Sequence, residues 1–281
     1  MELCKYCGKH EAIENSHVIP KSVYDWLKST GPTPYIRSTH NPNKREQDGV
    51  KSPLLCSNCE GEFSKLEDDF KAEFFNKVAN YRVPCPDEIR ITESILVCFY
   101  VIAWRVLADA YYFPNDNEYT EEEFNKFPSL LERIKCAIEN KEFSEFKTHV
   151  IPCTKDVLTR VKMPQVDWHV YERTITAEPR IWDDWLRFVI YIQIPFSIIV
   201  FEVVPNENDA WIGTRIEGTD VLRLPQIESV PVYVHKILLH FYEQFLESKN
   251  NLSPKQQDLI KKGVENADPN CGSFKTMRKT W

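Results

Sequence analysis

The stretch LLCSNCEGEFSKLEDDF, residues 54–70, carries a C-x2-C pair at Cys56 and Cys59 and runs directly into a helical repeat. Phe63, Leu66, Phe70 and Phe74 recur at steps of three and four, which predicts a helix with one apolar face. A second pair, Cys4 and Cys7, stands near the N-terminus in MELCKYCGKH. Two such pairs suit a tetrahedral zinc ion, because each short loop presents two thiolates from one side and the two loops close the shell. With all four positions filled by sulfur, such an ion staples the fold and performs no chemistry itself.

The rest of the composition agrees with thiols kept free. Nine cysteines stand in a chain whose N-terminal text has no apolar signal stretch, so a reducing, cytoplasmic setting is expected and close pairs are better explained as metal ligands than as disulfides. The redox alternative for C-x2-C needs a βαβ context that neither pair has. The other cysteines (Cys85, Cys98, Cys136, Cys153, Cys271) are scattered singly and read as small core residues. No membrane-spanning segment is expected, since the most apolar runs, 95–104 and 188–205, are too short or are broken by Gln193, Pro195 and Glu202.

Residues 8–55 lie between the two pairs, far more chain than a simple zinc ribbon needs, and His17 sits near the start. AIENSHVIP has strand character up to Ile19, and Pro20 stops regular pairing. Leu54–Leu55 reads as a short apolar strand entering the second pair. The predicted order is knuckle, strand with His17, loop, strand, knuckle, helix.

The elements CKYC, SHVIPKS and LLCSNCE together resemble the HNH endonucleases, and the longer run from Glu14 to Phe70 resembles an uncharacterised bacterial group related to them. The resemblance covers about the first 75 residues. It implies a ββα-metal core in which His17 is the general base that deprotonates water, with a catalytic magnesium or manganese ion stabilising the leaving oxygen. Glu60 takes the place where many members have the second histidine of the motif, and a carboxylate there suits a hard divalent ion. It equally suits the positive end of its own helix. Ser16 stands where many members have a metal-binding aspartate, and Lys51 where the central asparagine falls. Asn43 and Asp48 are the nearest substitutes, Asp48 being projected by an Asp-Gly turn, and Glu67 lies on the helical face of Glu60. The implied shell is Asp48, Glu60 and Glu67. His10 and His40 sit in polar loop text and carry no expected role.

Net charge is −7, which excludes an indiscriminately basic surface, but residues 1–66 hold nine Lys and Arg against eight Asp and Glu. Lys21, Arg37, Lys44, Arg45 and Lys51 concentrate around the insert and are the candidate phosphate contacts.

Downstream, residues 87–113 read as one long helix that is apolar nearly all round. TEEEFNKFPSLLERIKCAIEN gives a helix or a pair of helices, with Thr120 at the start and Pro128 as a break. Residues 168–205 are rich in β-branched and aromatic residues with turn signals, which predicts an antiparallel sheet, and DAWIGTRI and VLRLP suggest further strands. Two helices close the chain, the second opened by Ser253, Pro254 and Gln256. Trp168, Trp182, Trp185 and Trp211 read as core.

The expected architecture is α+β: a zinc-stapled HNH-like module over residues 1–80, then a larger domain over 81–281 of helices plus an antiparallel sheet, serving recognition, regulation or oligomerisation. The expected activity is metal-dependent phosphodiester hydrolysis, on DNA before RNA, in a bacterial anti-phage or mobile-element setting. The alternative is an inactive zinc-bound module that binds nucleic acid or a protein partner.

Overall fold

The computed structural model describes residues 2–114, 119–182, 187–218 and 220–280. In chain order the elements begin with β1 (Ser16–His17), α1 (Lys21–Ser29), β2 (Lys51–Ser52) and α2 (Ser57–Asp69). A π-helical turn, Phe70–Phe75, leads to α3 (Asn76–Val78), then β3 (Glu88–Ile91), α4 (Glu93–Tyr112) and α5 (Glu121–Asn140). Next come β4 (Lys147–Pro152), α6 (Lys155–Arg160), α7 (His169–Arg173), β5 (Thr176–Trp182), β6 (Arg187–Ile194) and β7 (Ser197–Val204). Short β8 (Arg215–Ile216) and β9 (Asp220–Arg223) precede α8 (Val232–Asn250), α9 (Pro254–Glu265) and α10 (Phe274–Thr280). The mixture of helix and sheet is α+β, as the sequence predicts.

β1 and β2 form a two-stranded antiparallel ribbon that pairs Ser16 with Ser52 and His17 with Lys51. The strand expected at Leu54–Leu55 is displaced to Lys51–Ser52. Pro53 follows, and a residue without an N–H stops the ladder there. Leu54 and Leu55 are instead fully buried, their carbonyls accepting the N–H groups of Lys5 and Ile13. Pro20 ends β1 by opening α1 as its N-cap residue.

α2 begins at the second cysteine pair, as its periodicity predicts, but its end differs. The turn Phe70–Phe75 widens to π geometry, which brings Phe70 and Phe75 onto one face with their rings stacked at 6.0 Å while Phe74 stays buried beside them. Three aromatic rings are thus delivered where an α-helical stripe would have buried two.

α4 is the core of the molecule. Every residue from Ile95 to Ala108 is buried, Arg105 included, and the helix packs against α2, α5, β5 and β6. It is long and apolar enough to cross a membrane, but 78% of that stretch is buried inside the protein. The predicted helix over 87–113 is therefore split: residues 88–91 pair with β9 as a strand, and Thr92, whose hydroxyl accepts the Ile95 N–H at 3.3 Å, starts the helix. Pro128, expected as a break, sits exposed within an unbroken α5. α5 opens with a complete capping box between Thr120 and Glu123.

The large sheet has the antiparallel order β5-β6-β7-β4-β8. The segment 169–173, expected within the sheet, forms α7. The two-residue turn between β6 and β7 places Phe196 at φ +61°, a conformation that costs energy for a bulky side chain. Its ring is held by Trp26 at 6.1 Å and Tyr81 at 5.2 Å, so the strained turn docks the sheet onto α1. Of the four tryptophans expected in the core, Trp182 and Trp211 pack against it, Trp168 is partly exposed, and Trp185 lies outside the described residues.

One buried cluster runs from Cys4 to Leu238 and so continues across residue 80. At that junction the ring of Tyr6 meets Phe63 of α2 and Trp104 of α4, each edge-on at 5.0 Å. Trp104→Ala should therefore cost about 3–5 kcal/mol in urea denaturation.

Candidate metal centre and the His17 site

The four paired cysteines converge. Cys4 Sγ lies 3.9 Å from Cys59 Sγ, Cys7 Sγ lies 3.8 Å from Cys56 Sγ, and all four sulfurs fall within 4.8 Å of one another. These are not disulfides. A tetrahedral ion bonded to sulfur at about 2.3 Å sets its ligands about 3.8 Å apart, so the cluster fits a bound metal ion. Gly8, at φ +66°, turns the chain after Cys7 in the left-handed region that favours glycine. Cys7 is pulled down to about 6: desolvation opposes this, but the backbone N–H groups of Lys9 and His10 outweigh it. Burial pushes the Cys4 and Cys59 thiols up. A thiolate-binding ion would offset that cost directly.

His17 sits on β1, where the ribbon and the cysteine closure hold it over the 48–51 loop. Its Nε2 is 3.0 Å from Asp48 Oδ1, and Asp48 Oδ2 is 2.7 Å from Lys51 Nζ. Burial pushes the Asp48 carboxyl up, but hydrogen bonds from Lys51, His17 and the Gly49 N–H outweigh it and hold the group well below its usual range. An ionised carboxylate only accepts, so Nε2 of His17 carries a proton toward Asp48, and in the neutral imidazole Nδ1 is then the acceptor. Nδ1 has no hydrogen-bond partner among the described residues, and the side chain is 11% exposed. The loop that carries Asp48 is fixed by Gly49, where any Cβ would lie 1.9 Å from the Tyr24 ring. The Asp-Gly turn read from sequence therefore does project Asp48, but toward His17 and Lys51.

Glu60 and Glu67 are committed elsewhere. Glu60 Oε2 accepts the Ser16 hydroxyl at 2.9 Å and lies 3.5 Å from Arg105 Nη2, while Glu67 Oε1 is 2.5 Å from Arg105 Nη1. Sequence reasoning missed Arg105, although a single arginine within the apolar run of α4 was the signal. The shell implied for magnesium or manganese by Asp48, Glu60 and Glu67 does not fit as placed, because each carboxylate already has a cationic partner. Among the described residues, the four cysteines are the only group of three or more His, Cys, Asp or Glu that converges to hold a metal ion.

The basic residues of the insert divide. Lys21, Lys44 and Arg45 are exposed, Arg45 lying over the Tyr35 ring. Arg37 donates to the Pro42 carbonyl and to Gln256 of α9, and Lys51 is held by Asp48. Asn43 is also occupied: its amide donates to the Asn251 carbonyl and its oxygen accepts the Ser253 N–H, so the start of α9 clasps the insert. His10 and His40 are exposed.

Comparison of the chain with family models, curated proteins and solved structures finds no match.

Because the folded Asp48 binds its proton less readily than a free carboxyl at 3.8, the unfolded state takes up more protons in acid. Asp48 thus contributes stability above the unfolded value, which is lost as pH falls below it toward the depressed folded value. Asp48→Asn should flatten the acid limb of stability against pH in urea titrations between pH 5 and about 2.

Proposed function

We propose that the chain is a zinc-stapled, HNH-like ββα module that hydrolyses phosphodiester bonds, with DNA as the first substrate to test and His17 as general base. The observation that carries this is the His17–Asp48 pair. A carboxylate held ionised fixes one imidazole nitrogen as donor and leaves the other to accept a proton from water. The pairing of β1 with β2, which α1 separates in the chain, followed by α2 and closed by the two cysteine pairs, supports the ββα assignment. Lys51 supplies a positive charge beside the pair, and Lys21, Lys44 and Arg45 remain exposed to meet phosphates. Zinc is the ion we assign to the sulfurs, since a set of four thiolates in tetrahedral spacing suits it. It staples the module, and no step of hydrolysis passes through it. The clasp of α9 on the insert supports a controlling role for the C-terminal part.

A second proposal, that the module binds nucleic acid without cutting it, is favoured by the pairing of Glu60 and Glu67 with Arg105, which commits both of these carboxylates to a cation the protein already carries. Supercoiled and linear DNA, and RNA, incubated with the full chain with and without magnesium or manganese, separate the two. Hydrolysis is expected to fall at least about a hundredfold in His17→Ala. Cleavage untouched by that substitution overturns the role of His17, and binding without cleavage in every buffer selects the second proposal. Metal analysis should independently find about one zinc per chain, lost in Cys56→Ser together with a lower melting temperature.

A further inference from the structure

The two carboxylates assigned to a divalent ion share a cation that the protein already contains. Arg105 projects from α4 with its side chain 1% exposed, Nη1 against Glu67 and Nη2 facing Glu60. Its guanidinium carbon lies 5.5 Å from the centroid of the Phe63 ring, which closes one side of the site. Ser16 and Glu60, the two positions that the ββα resemblance gives to metal ligands, are hydrogen-bonded to each other.

A guanidinium stays protonated at any working pH, and burying one is costly unless carboxylates face it. Glu67 meets that need by accepting from Nη1, while Glu60 faces Nη2 as an ion pair only, and Nη2 and Nε are buried without a hydrogen-bond partner. A divalent ion approaching the same oxygens would be repelled at short range by a charge that cannot leave or neutralise. It would also strip the buried guanidinium of its partners.

We propose that Arg105 stands in for the catalytic divalent cation of a ββα-metal core. It balances Glu60 and Glu67, holds Glu60 against Ser16 beside His17, and leaves the His17–Asp48 pair to act without magnesium or manganese. Arg105 is a positioning residue, since it touches the carboxylates and not the substrate. The replacement of the ion rests on the ββα assignment proposed above, and the consequence for cleavage rests also on the hydrolytic function. Because α4 lies beyond residue 80, the charge balance of the N-terminal module is supplied by the downstream part of the chain.

The test is manganese binding followed by electron paramagnetic resonance on the full, zinc-loaded chain, comparing wild type, Glu60→Gln and Arg105→Gln. Cleavage is assayed alongside in buffer freed of divalent ions on a chelating resin. Wild type and Glu60→Gln should bind manganese equally weakly, and Arg105→Gln should bind it at least about tenfold more tightly. Any wild-type cleavage should proceed at the same rate with and without added magnesium. A manganese site in wild type that Glu60→Gln removes overturns the proposal, as does cleavage that stops on resin treatment and returns with magnesium. Should Arg105→Gln fail to fold, the wild-type and Glu60→Gln pair decides alone. Absence of cleavage in every buffer would defeat the hydrolytic function, while the manganese comparison would still decide the role of Arg105.

Discussion

The contact of Arg105 with Glu60 and Glu67 sets the arrangement of everything around it. α4 is buried on all sides, so its guanidinium cannot reach water and must find carboxylates inside the protein. Glu60 and Glu67 supply them from one face of α2, and this fixes both the rotation and the axial position of α2 against α4. Since α2 starts at Cys56, the position of the sulfur cluster follows from the same contact. A second tie runs in parallel: the Ser52 hydroxyl of β2 donates to Asp109 of α4, whose carboxyl burial pushes up. Both strands of the ribbon are therefore registered against one helix, β1 through Ser16 and Glu60, β2 through Ser52 and Asp109.

Within that frame the cysteine cluster has a different task. A metal ion held by the four sulfurs would close a long insert whose own secondary structure is slight and would remove loop-closure entropy from the unfolded chain. Asp48 reaches His17 although residues 30–47 contain no helix or extended strand. Arg37 and Asn43 then tie the insert to the start of α9, and Ser273 and Cys271 hold it at the Thr30 carbonyl. The loop beside His17 is thus braced by the far end of the chain.

Much of the helical structure was legible because long periodic segments with good caps leave little choice. α4, α5 and α9 announce themselves through apolar faces, and α5 and α9 also through Thr120 and Ser253. The errors sit where one residue redirects a short element. Pro53 moved a strand from Leu54–Leu55 to Lys51–Ser52, and the pairing of residues 88–91 with β9 took a turn from the predicted helix. Pro128 did not break α5, which runs through it with the ring exposed, its other face buried and a complete capping box at its start. The π turn at Phe70–Phe75 has no local signature, being driven by the space beside Phe99 that the rings fill.

The sequence by itself determined the four converging sulfurs, the helix that follows them, the antiparallel sheet and the prominence of His17. Spacing alone carries those, because C-x2-C loops, helical periods and alternating strands are local geometry. Only the tertiary structure decided which charges meet. Asp48 reached His17 and Lys51, while Glu60 and Glu67, expected as metal ligands, went to an arginine about forty residues downstream. The physical reason is desolvation: a buried guanidinium takes whatever carboxylates the packing brings within reach, and no local pattern records that choice.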